Sequence, residues 1–136
     1  MICRPGAVPG GGSVPARRFP VSKPVAHYSP SARAGDLLFV SGQLGLVDGA
    51  LAEGVEAQTR QALANLEGVL ADNGAALTDV VKCTVFMTDI ENFAAVNEVY
   101  ASVFGDHRPA RSAIAVKALP LGGLVEIEAF AHLGES

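Results

Sequence analysis

Apolar positions between residues 54 and 71 recur at three- and four-residue spacing: Val55, Thr59, Ala62, Leu63, Leu66, Val69 and Leu70. That repeat predicts a helix with one buried stripe. Glu56 and Arg60 stand one turn apart on its polar side, in the favourable order, and Asp72-Asn73-Gly74 supplies the stop. A second helical period covers about 89–104, with Phe93, Val96, Tyr100 and Phe104 along one side. Thr88-Asp89-Ile90-Glu91 fits a capping box, Glu91 returning a bond to the Thr88 backbone. Gly105 ends this helix, and residues 106–109 form its exit loop.

Strand patterns fill the rest. Leu37–Ser41 is apolar on both sides, as in a covered strand, and follows a turn at Ala34-Gly35-Asp36. Gly42-Gln43 closes it, and Asp48-Gly49 turns between two short extended pieces. Val80–Met87 is rich in β-branched residues and too short for a buried helix. Ser112–Leu119 and Val125–Ala131 follow, joined through Pro120-Leu121-Gly122-Gly123 and read as a hairpin. Pro24 and Pro30 make Val21–Tyr28 an extended first strand. The order β-β-β-α-β-α-β-β predicts an α+β sandwich, about six strands with two helices on one face. Strands 80–87 and 112–118 carry apolar side chains at both parities (Val81, Cys83 and Val85 but also Val80 and Phe86; Ile114 and Val116 but also Ala113 and Ala115). A sheet with one wet face alternates more cleanly. The second face is therefore expected against partner chains, the alternative being a twisted sheet with small residues half exposed.

A chain of 136 residues, 49% hydrophobic and 18% charged, suits one globular domain. Residues 1–20 are Pro/Gly-rich without a period and are expected to be a flexible tail, with the domain over 21–136. No apolar run is long enough to span a bilayer, and the first twenty residues lack the apolar segment of a secretory signal. Two cysteines make no disulfide scaffold. A cytoplasmic protein is expected. The net charge of −4 is uneven: residues 1–33 hold five basic and no acidic side chains, residues 34–136 five basic against fourteen acidic, a net −9. That acidic body argues against nucleic-acid binding.

Candidate chemistry concentrates near the C-terminus. Arg111, at the mouth of a strand, has the planar fork that grips a carboxylate by two parallel bonds. Glu126 and Glu128 share one parity in an otherwise apolar strand, where a carboxylate needs a partner or a task. Arg111 is thus either a salt-bridge partner of one of them or a ligand anchor. Asn97 sits beside the apolar stripe of the second helix, an unfavourable position for Asn, and either caps a loop or orients a neighbour. His27, His107 and His132 have no metal-ligand spacing, and no phosphate loop or nucleophile elbow is present.

Five ordered segments carry a family resemblance over nearly all of residues 23–132. They are Leu38-Phe39-Val40-Ser41-Gly42-Gln43, the run from Glu56 to Asn65, the run from Val80 to Phe86, the run from Phe93 to Tyr100, and Pro109-Ala110-Arg111-Ser112 with Val125-Glu126-Ile127-Glu128. In these the chain resembles the RidA (YjgF/YER057c/UK114) family. The resemblance implies a chorismate-mutase-like α+β fold, a homotrimer around a central barrel, and clefts between subunits. It also implies hydrolysis of 2-iminoalkanoates, or their enamine tautomers, to 2-oxo acids and ammonia. The substrates come from pyridoxal-phosphate enzymes such as serine/threonine dehydratase, and neither metal nor cofactor takes part.

Arg111 matches the family arginine that holds the substrate carboxylate, and Glu126 the glutamate associated with the attacking water. Tyr28, Ser41 and Asn97 match residues lining the cleft. An iminium carbon is already electrophilic, so orienting one water goes far toward the reaction. Three departures are present. Arg111-Ser112-Ala113 stands where the family often has Arg-Ser-Cys, a residue that acts largely through its main chain; Ala26-His27-Tyr28 replaces Gly-Pro-Tyr; and the loop from Gly105 to Pro109 is short. The competing readings are a trimeric binding protein for small carboxylates or 2-oxo acids, and the ribonuclease or translation inhibitor label that the family has carried.

Overall fold

The stripe of residues 55–70 forms α1, Val55–Asp72, in the computed structural model, which describes residues 27–134. Ala62, Leu63, Leu66 and Leu70 are fully buried along it, together with Thr59, whose hydroxyl donates to the Val55 carbonyl at 2.7 Å. Gln58 is also buried and fixes the helix start from both sides. Its amide donates to the Ala52 carbonyl at 3.0 Å and accepts from the Leu124 N–H at 2.8 Å. The second helix, α2, spans Phe93–Phe104 behind a 3-10 turn at Ile90–Asn92. The expected capping box does not form. Asp89 caps instead, its carboxylate accepting from the Glu91 N–H at 2.9 Å, which places Glu91 too early in the turn to return a bond.

Strands are β1 (Ser31–Ala34), β2 (Leu37–Leu44), β3 (Leu46–Val47), β4 (Ala50–Leu51), β5 (Val80–Met87), β6 (Ala110–Ala115) and β7 (Val125–His132). The main sheet has five strands in the order β1-β2-β7-β5-β6, and β3 and β4 form a separate ribbon at the Asp48-Gly49 turn. The architecture is α+β with two helices on one face, as expected, and among the described residues the main sheet has five strands beside the small ribbon. Among the described residues the first strand is β1, and the described end of the expected Val21–Tyr28 strand is not part of one. Residues 27–30 are not a strand, while 31–34 pair back on β2 through a turn in which Gly35 takes φ 61°. The expected tail over 1–20 and the extended reading of 21–26 lie outside the described residues.

The last two strands are not a hairpin. β7 enters the sheet centre between β2 and β5, antiparallel to both, and β6 pairs in parallel with β5 at the edge. β6 ends at Ala115, short of Leu119, because its partner ends opposite at Met87. Register and burial then define two faces. Cys83, Val85, Met87, Val125, Ile127 and Ala129 are buried under the helices with Leu38 and Val40. Phe39, Phe86, Ile114, Glu126, Glu128 and Phe130 stand on the other face, partly or well exposed. Phe39 and Phe130 meet there edge to face, ring centroids 5.0 Å apart.

Two glycines test this packing in opposite directions. A Cβ on Gly45 would overlap the Gln58 backbone, so Gly45→Ala must displace the start of α1 and is expected to cost about 1–3 kcal/mol. Gly68 sits in α1 with open space where a Cβ would go. Gly68→Ala is expected to add about 0.5–1 kcal/mol. Urea denaturation of both variants checks the signs.

Candidate functional site

Arg111 is the second residue of β6 and pairs with Cys83 of β5, which pairs in turn with Ala129 of β7. Residues paired across a sheet point to the same face, so Arg111 lies on the helix side, at the open edge. There α2 meets it with three residues at four- and three-residue spacing, all on one side of the helix. The Asn97 side-chain carbonyl accepts from the Arg111 Nη1 at 2.8 Å. The guanidinium carbon stands 4.8 Å from the centre of the Tyr100 ring and 5.6 Å from that of Phe93. Tyr100 rests on Phe104, centroids 4.6 Å apart.

This arrangement bears on both open readings. Asn97 is an orienting residue: its one described side-chain bond goes to Arg111. Arg111 is not paired with Glu126 or Glu128, which project from the opposite face. Among the described residues the only hydrogen bond of its side chain is to a neutral amide, and the rings contact its faces. A planar cation held that way keeps most of its N–H edge for a ligand, and a carboxylate matches that edge with two parallel bonds. Ala113, two residues on, lies half-buried on the same face against the core. Cys83 is buried beside Tyr100; burial pushes its thiol up, opposed in part by Tyr100, Arg111 and Lys82.

The other candidates gather on the far face. Between Val40, paired with Ala129, and Gln43, paired with Ile127, β2 inserts Ser41 and Gly42 opposite the single residue Glu128. This is a bulge, which bends the strand and re-aims its side chains. The Glu126 carboxyl folds over Gly42 so closely that a Cβ there would stand 2.8 Å from its Cδ. The Ser41 hydroxyl donates to the Ser29 carbonyl at 2.6 Å, and the Ser41 N–H to that of Pro30 at 2.9 Å. Ser41 therefore ties down the segment carrying His27 and Tyr28, both exposed. Burial, with Glu128 adding to it, raises the Glu126 carboxyl above the usual carboxylate range.

The candidate residues thus fall into two separate groups. Arg111, Asn97 and Ala113 share one face; Glu126 and Ser41, with Tyr28 just upstream, belong to the other. Phe93, Tyr100 and Gly42 were not singled out as site residues from sequence. The first two read as core stripe, and the signal available was their spacing around a polar Asn97. Among the described residues no three His, Cys, Asp or Glu side chains cluster to hold a metal ion, and no helix is long and apolar enough to cross a membrane.

If burial of charge is what raises Glu126, its ionised form weakens the fold and its protonated form does not. Stability then falls as pH rises through the folded-state value. Glu126→Gln is expected to melt at the same temperature as the wild type below the carboxylate range and higher at neutral pH. Melting curves across pH check this, and a gain that persists in acid would point to shape rather than charge.

Comparison with known proteins places the chain. The family model described as Endoribonuclease L-PSP matches residues 20–133. A RutC family protein of Pyrococcus horikoshii is 43% identical over 113 residues, 81% of this chain and 90% of that protein. The 2-iminobutanoate/2-iminopropanoate deaminase of Capra hircus is also 43% identical over 113 residues, 81% of this chain and 82% of its own. The crystal structure of RidA from Psychrobacter sp. PAMC 21119 superposes with a TM-score of 0.79 at 39% identity, covering 81% of this chain and 91% of that one. A match across nearly the whole described domain, in sequence and in fold, makes this chain a member of the RidA (YjgF/YER057c/UK114) family.

Proposed function

We propose that this protein hydrolyses 2-iminoalkanoates, and the enamines in equilibrium with them, to 2-oxo acids and ammonia. The observation that carries this reading is the Arg111 guanidinium, oriented by Asn97 and flanked by two rings, with no carboxylate opposite it among the described residues. The goat relative named for this activity supports it at 43% identity. The endoribonuclease description of the family model is the weaker fit, because the net charge of −9 over residues 34–136 opposes a polyanion.

Arg111 holds the substrate carboxylate, which fixes the adjacent iminium carbon. Glu126 orients a water and takes one of its protons as the oxygen bonds to that carbon; this proton passes to the nitrogen, and as the carbon–nitrogen bond breaks the remaining hydroxyl proton passes through Glu126 to the departing ammonia. Iminium carboxylate plus water becomes 2-oxo carboxylate plus ammonium, in balance of atoms and charge. A glutamate with a raised affinity for protons suits that exchange. Ser41, Tyr28 and Ala113 shape the pocket, Ala113 chiefly through its main chain.

Arg111 and Glu126 face opposite sides of their own sheet, so this chemistry requires Arg111 of one chain and Glu126 of another. The open face, with Phe39, Phe130, Ile114 and Val81 each more than a third exposed, is the surface we assign to subunit contact, in a homotrimer whose sheets surround a central barrel. The setting proposed is the cytoplasm, beside the pyridoxal-phosphate dehydratases that release such imines.

The test couples purified protein to a threonine dehydratase and follows decay of the transient imine. Wild type is expected to accelerate it, and Arg111→Ala to lower kcat/KM at least about 100-fold with the oligomer intact on sizing, as for removal of one side of a desolvated ion pair. No acceleration by wild type with any of several 2-imino acids would leave a carboxylate-binding protein instead. Full activity in Arg111→Ala would remove the anchor from the reading.

A further inference from the structure

Arg111 is a long side chain on an edge strand, and something must hold it in one rotamer if it is to act as an anchor. Asn97 supplies one hydrogen bond at 2.8 Å. The two rings differ. Phe93 is 39% exposed and 5.6 Å away, whereas Tyr100 is 7% exposed and 4.8 Å away. Tyr100 is itself immobilised, stacked on Phe104 and set against the buried Cys83. Its hydroxyl is buried without a well-formed hydrogen bond, so bonding through that oxygen does not account for the residue's place. What the residue offers is the π-face, which attracts a cation and excludes water from one side of it.

We infer that Tyr100 is the positioning residue of the carboxylate site, its ring fixing the plane of the Arg111 guanidinium so that the free N–H edge is presented ready-made to the substrate. The inference rests on the reading of Arg111 as carboxylate anchor and goes beyond it by naming what makes that anchor rigid. Without the ring, Arg111 regains rotamers that binding must freeze again. The loss then falls on substrate binding rather than on turnover of bound substrate.

The experiment compares wild type, Tyr100→Leu and Tyr100→Phe in two readouts: KM and kcat for imine hydrolysis, and calorimetric binding of 2-oxobutanoate, which needs no turnover. Tyr100→Leu is expected to raise KM and the 2-oxobutanoate Kd about tenfold with kcat within about threefold, and Tyr100→Phe to recover both constants to within about threefold of wild type. A merely structural role gives the opposite split, a fall in kcat with the folded fraction at unchanged KM, and overturns the inference. Wild-type binding of 2-oxobutanoate without hydrolysis would end the deaminase reading while the binding arm still decides the role of Tyr100. Failure of wild type to bind any 2-oxo acid would end both. Should Tyr100→Leu not fold, the wild-type NMR spectrum decides: a clamped Arg111 shows separate, ring-shifted Nη proton signals, and a single averaged signal at the free-arginine position overturns the inference.

Discussion

Side chains alternate across a strand, and that alternation governs what this protein can do alone. Arg111 is in register with Cys83 and Ala129, both buried beneath the helices. Glu126 stands three positions from Ala129 on the same uninterrupted strand and so projects from the opposite face. No side-chain rotamer crosses a sheet. The cation that suits a carboxylate and the carboxylate that suits a water are each well placed in one chain, and they are separated by the sheet between them. Any function using both must assemble them from two chains.

Each half is built from ordinary folding forces put to a second use. The α2 stripe that fills the core also presents Phe93, Asn97 and Tyr100 to the edge strand, so the helix that stabilises the sheet also fixes Arg111. On the far face, the bulge at Ser41-Gly42 removes side-chain volume where the Glu126 carboxyl turns over. Burial there, with Glu128 adding to it, disfavours the ionised form of Glu126. Such a cost is common where a group serves chemistry.

Much of this was legible in the sequence. The α1 stripe appears almost residue for residue, because one wide apolar face in a long helix is a strong periodic signal. The motif resemblance named the family, and its candidate residues are the ones found grouped on the two faces. Pairing was not legible: the apolar runs of β6 and β7 gave no indication that β7 enters the sheet centre while β6 takes the edge in parallel. Reading them as a hairpin set Glu126 beside Arg111 in one chain, and register alone corrects that. Tyr100 was hidden for a different reason. An aromatic in a helical stripe looks the same in sequence whether it only fills the core or also flanks a cation.

The most direct test of the two-chain site mixes two inactive parents. Arg111→Ala and Glu126→Ala subunits are unfolded together in equal amounts and refolded; in the proposed homotrimer about a quarter of the sites then combine an intact Arg111 with an intact Glu126 from its neighbour. The mixture is expected to recover about a quarter of wild-type imine hydrolysis, while each parent refolded by itself recovers none. A mixture no more active than its parents, at the same oligomeric state, would contradict the claim that Arg111 and Glu126 meet across subunits.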